Sequence, residues 1–203
     1  MKSTLNLTAE LERLIADIAA KVIAFCHVDP SRLLVCVNSS RSSEHGAFAK
    51  IHPLRFKGGE LSTVVKRGRS CITCFMPEVN HNNVGMLYVI YFTLPRFMDR
   101  PLNEKLVTIF HELYHISPQF DGDIRRFPGR NFAHGSSAKK YNLLMESFVA
   151  EYLSLFESRD RAAFLDADMD TLRLKHRAIV GRKMAMPKIR LERIGPARSG
   201  RPL

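Results

Sequence analysis

His111, Glu112 and His115 stand in the pentapeptide His111-Glu112-Leu113-Tyr114-His115, an HExxH motif. Four residues make a little over one helical turn, so on a helix the two imidazoles share a face and can grip one Zn²⁺, with Glu112 beside them to activate water. The chemistry that follows is metal-assisted hydrolysis. Catalytic zinc normally takes three protein ligands and leaves a fourth position open, so the pattern calls for a third donor. His134 is the best candidate, in a loop that can fold back over the helix. A rival set takes Glu151 from a second helix, where it borders the apolar stripe while Glu146 points away. Asp121 and Asp123 are closer in sequence, yet they sit among Arg125, Arg126 and Arg130, where turn hydrogen bonds and local ion pairs are their expected task.

The helix that must carry the motif is predicted from about Leu102 to Ile116. At about 100° per residue, Leu102, Leu106, Ile109, Leu113 and Ile116 gather on one side, and Glu104, Thr108, His111 and His115 on the other. Two stacked histidines on the polar face are not core histidines. Ahead of them, an opening helix is predicted from Thr8 to about Phe25, then short strands at Leu33 to Val37, around Phe48 to Phe56, at Leu61 to Val65 and at Cys71 to Phe75. The strongest strand is Val84 to Leu94, apolar at almost every position and therefore expected to be covered on both faces. It would align an extended peptide only if it lay at an edge. After the motif come a loop of about twenty residues, dense in Pro, Gly, Asp and Arg, a helix from about Ala138 to Phe156, and another from Arg161 to about Ile179. One domain is expected over residues 1–182, followed by a basic tail, 183–203, expected to be disordered.

The 203 residues carry a net charge of +11, and eight of the basic residues fall between His176 and Leu203 against Glu192 alone, so the excess sits near the C-terminus. Nucleic acid, bound non-specifically through that tail, is the partner this charge suggests. No apolar run is long enough for a bilayer and no signal-peptide pattern opens the chain, which reads as cytoplasmic with no membrane partner. Four cysteines are too few for a disulfide framework. Cys71-Ile72-Thr73-Cys74 is a CxxC without a second half, and small buried apolar residues are its simpler reading.

The segment His111-Glu112-Leu113-Tyr114-His115-Ile116-Ser117-Pro118, with Phe120-Asp121-Gly122-Asp123, Arg125-Arg126-Phe127, His134-Gly135 and the earlier Pro95-Arg96-Phe97, resembles the phage and bacterial zincin-like metallopeptidase family over about Val84 to Gly135. The resemblance implies an α+β fold, a minimal zincin-like domain with a mixed sheet whose edge strand precedes the HExxH active-site helix, and C-terminal helices. It also implies Zn²⁺ ligands at His111 and His115 with His134 as the third, a catalytic Glu112, and peptide or protein substrates. The chain departs from metzincins, having no Gly and third His directly after the motif, and from thermolysin-like enzymes, having no NExxSD-type helix. Two other readings remain open: a non-catalytic, zinc-stabilised binding module, and a nucleic-acid-associated protein that uses the basic tail.

Overall fold

Alternation in three short strands builds the centre of the molecule. In β2 (Leu33–Ser39), Leu33, Val35 and Val37 point into one apolar core while Leu34 and Cys36 point into another. In β8 (Tyr88–Leu94), Tyr88, Ile90 and Phe92 join the first core and Val89 and Tyr91 the second. A strand covered on both faces reads as a continuous apolar run, which accounts for the sequence of β8. β8 runs parallel to β2 and antiparallel to β3 (Ala49–Pro53), so the order is β2-β8-β3. β8 is therefore central, although the strand before the motif helix was expected at an edge. Among the described residues the edge strands of this sheet are β2 and β3.

The computed structural model describes residues 2–39, 46–68, 70–128 and 137–194. Its architecture is α+β. Helices α1 (Leu7–Lys21), α2 (Leu102–Tyr114) and α3 (Ala138–Ser154) supply the first core, while Leu54, Met86, Met76, Val79 and Met184 close the second. Asn6 caps α1 by accepting the Ala9 N–H at 3.1 Å, and Leu7, Leu11, Leu14, Ile15 and Ile18 form its buried stripe, the helix ending at Lys21 rather than near Phe25. β1 (Thr4–Asn6) pairs parallel with β9 (Ala178–Val180). A second sheet, β10-β5-β4, is made by β4 (Ser62–Arg67), β5 (Ser70–Phe75) and β10 (Arg190–Ile194). A small ribbon joins β6 (Asn80–His81) to β7 (Val84–Gly85).

Three expectations are corrected. The helix predicted from Arg161 to Ile179 is broken into α4 (Phe156–Ala162), a 3₁₀ turn at Ala163–Asp166 and α5 (Met169–Lys175). The Asp168 carboxylate restarts the helix by capping the Thr171 N–H at 2.7 Å, and Ile179 goes to β9 instead. Within the tail expected to be disordered, residues 190–194 form β10, antiparallel to β5. Arg182, just before it, is fastened to Glu12 and to the Val35 carbonyl. Finally, Cys71 and Cys74 are not the small buried residues expected: Cys71 is exposed and Cys74 half-buried, and being three apart on one strand they face opposite sides of it and share no metal. Among the described residues no helix is long and apolar enough to cross a membrane.

Candidate active site

α2 follows β8 after a buried turn in which Phe97 packs on Phe92, ring centroids 4.7 Å apart. Glu104 in its first turn suits the positive end of the helix dipole. Leu106, Ile109, Phe110 and Leu113 are fully buried, which fixes the rotation of the helix and leaves His111 and His115 half-buried on the far side. Their Nε2 atoms stand 3.0 Å apart. Two nitrogens at about 2.05 Å from one tetrahedral zinc are separated by about 3.3 Å, so the pair already has nearly the bite of a shared ion.

Glu112 turns the other way. Its side chain is buried, and Oε2 accepts the backbone N–H of Ile51 at 2.7 Å. Ile51 lies on β3, so the carboxylate sits against the open edge of the sheet. Burial raises its pKa from 4.5 to about 7, opposed by the Ile51 N–H and by Lys50. Glu112 is thus poised to gain and lose a proton near neutral pH. No sequence pattern marks Ile51, because a backbone N–H carries no residue signature.

α3 brings Tyr141 to the same place. Its ring lies 5.0 Å from that of His111 and stacks on His115 at 6.2 Å. Burial pushes its phenol far above the ordinary range, with the Glu112 charge adding to it, so Tyr141 stays a hydrogen-bond donor. Tyr114, between the helix faces, is packing: it touches Phe148 and Tyr141 and carries the Arg125 guanidinium 4.1 Å from its ring centroid.

The residues after the motif are held under α2. The Arg125 N–H donates to the His115 carbonyl at 2.7 Å, and the Tyr88 hydroxyl receives Gly122 N–H at 3.0 Å and donates to the Asp123 carbonyl at 2.7 Å. Gly122 has φ +89°, and a Cβ there would lie 2.5 Å from Arg55 Cγ. Asp123 pairs with Arg126 at 2.8 Å, and Asp121 accepts the Asp123 N–H at 3.1 Å. Both aspartates therefore do the turn work expected of them.

A comparison with protein-family models, with curated proteins and with solved structures finds no match in any of the three. The site rests on its own geometry.

His134 and Arg130 lie outside the described residues. Among those described, no three His, Cys, Asp or Glu side chains converge as a metal site. Glu151 is exposed and sits ten residues beyond Tyr141 on α3, about 15 Å along the axis at about 1.5 Å per residue, so the helix that reaches the histidines reaches them with Tyr141. Glu146 is exposed as well.

Proposed function

We propose that this chain is a zinc-dependent metallopeptidase. The observation that carries the reading is the pair of imidazole Nε2 atoms 3.0 Å apart on α2, with Glu112 of the same turn buried against β3. His111 and His115, joined by His134 as third donor, would hold the Zn²⁺. Bound there, zinc supplies a Lewis acid that brings the ionisation of water towards neutral pH. Glu112 takes the proton of the attacking water on a carboxylate oxygen and hands it to the departing amine. Tyr141 donates to the oxyanion that develops at the carbonyl. The edge strand β3, not β8, is where an extended peptide would lie, pairing away from Ile51, whose N–H is held by Glu112.

The test is zinc stoichiometry by elemental mass spectrometry on tag-free protein. About one zinc per chain, lost in His111→Ala and His134→Ala and kept in Glu151→Ala, is the expected result. A native chain that cannot be loaded with zinc would end the proposal. Glu112→Gln should keep the metal and abolish cleavage of an unfolded protein substrate; a zinc-loaded native chain that cleaves nothing, and whose zinc binding Glu112→Gln leaves unchanged, would leave the zinc-stabilised binding module as the better reading, since a structural site needs no base.

A specific observation also favours binding to nucleic acid. β10 sets Arg193 across from Ile72 and Val65, on the same face as Arg67, while Arg190 lies over the Phe75 ring at 4.5 Å. The basic C-terminal residues thus extend a basic sheet. Replacing Arg67 and Arg193 by Glu should weaken binding to an arbitrary DNA duplex and make its salt dependence shallower, by about 0.9 in slope for every phosphate that is no longer neutralised; an unchanged slope would remove this surface from consideration.

A further inference from the structure

A second cavity lies away from α2 and from the segment after the motif. It has a volume of about 530 Å³ and opens between β9 and the carboxyl ends of β2 and β8, which are parallel and end together at the Ser39–Leu94 pair. The crevice beyond the carboxyl ends of parallel strands is a recurrent place for ligands, and this volume falls within the usual range for small-molecule sites. Its floor is apolar, formed by Val37, Leu94, Pro95, Met169 and Ile179. Its rim is cationic: Arg173, Arg177 and Lys183 line it with His176, and no carboxylate is among the described lining residues. Arg173 is engaged by Asp170 at 2.7 Å. Among the described residues, neither Arg177 nor Lys183 has an ion-pair partner.

The wall is built rigidly. Arg177 N–H donates to the Ser3 carbonyl at 2.9 Å and Val37 N–H to the Arg182 carbonyl at 2.8 Å. Between those anchors, Gly181 passes so close to the sheet that a Cβ would lie 2.6 Å from Val37 Cγ2. A concavity with an apolar floor and two cations that no described residue pairs selects one chemical class. We propose that this cavity binds a small organic anion: an apolar body on Val37, Leu94 and Met169, its acidic group held by Arg177 and Lys183. The site is independent of zinc and of the peptidase reading.

The experiment is isothermal titration of the full chain with decanoate, and with decanol as the uncharged counterpart. Decanoate is expected to bind saturably with one site per chain, and decanol at least about tenfold more weakly, one charge-assisted hydrogen bond being worth about that factor. The double variant Arg177→Gln, Lys183→Gln should weaken decanoate at least about tenfold, and Met169→Trp, which enlarges a side chain lining the apolar floor, should do the same by steric exclusion. Unliganded melting temperatures of the variants check that both fold. Absence of saturable binding, equal affinity for decanol, or decanoate binding indifferent to the substitutions would each overturn the proposal.

Discussion

In the metal-free protein, Glu112→Gln is expected to raise the unfolding free energy by about 3 kcal/mol at pH 8 and by less than about 1 kcal/mol at pH 5. Burial lifts this carboxyl from 4.5 to about 7 in the folded chain, so the native state holds the proton more tightly than the unfolded state does. Below 4.5 both states are protonated and the site costs nothing. As pH rises to 7 the unfolded chain ionises freely while the folded one resists, so stability falls through that window and stays lowered above it. Glutamine removes the charge but keeps an oxygen for the Ile51 N–H. Urea unfolding of chelator-treated protein at pH 5, 6, 7 and 8 measures the difference; a gain that does not grow with pH would show that Glu112 is not ionised at a cost. A buried carboxylate held by the Ile51 N–H lowers the stability of the fold at neutral pH, a cost that packing alone would avoid with a neutral side chain and that the proposed role in proton transfer would account for.

That carboxylate also marks the boundary of what the sequence makes legible. Helical spacing places Leu106, Ile109 and Leu113 in the core and the two histidines outside it, because one amphipathic helix obeys a local period. β8 was readable as doubly covered for the same kind of reason. Its position was not: central or edge placement depends on which strands pair with it, and β3, with the alternation Ala49, Lys50, Ile51, His52, gives no sign that its outer N–H will meet α2. The break near Asp168 is a capping decision that a wheel drawn from Arg161 to Ile179 overrides, although the Asp168–Thr171 spacing was available to be read. β10 was hidden by composition. Arg190, Glu192 and Arg193 look like a solvated tail, and they remain exposed, but backbone pairing to β5 asks nothing of their side chains. The placement of Tyr141 against the histidines follows only from how α3 crosses α2.

The other large effect expected comes from a residue of α2 that does no chemistry. Lys105, on the HExxH helix, is 1% exposed, and its Nζ donates to the carbonyls of Leu165 at 2.7 Å and Ala167 at 2.9 Å. These belong to the segment between α4 and α5, a 3₁₀ turn and its exit, and the ammonium joins both carbonyls to α2. Lys105→Met keeps the aliphatic stem and removes the donors. Relief from burying a charge works in favour of the variant, but two buried carbonyls are left without partners at about 1–3 kcal/mol each, and a net loss of about 3 kcal/mol is expected by urea unfolding at pH 7. Burial pulls the Lys105 pKa below 10.5, so the folded state sheds that proton before the unfolded one and the native chain gains relative stability as pH rises towards 10.5. The deficit of the variant should therefore widen with pH. A deficit under about 1 kcal/mol, or one that shrinks as pH rises, would mean that the turn finds other partners and that the helix presenting His111 and His115 is held by its apolar stripe alone.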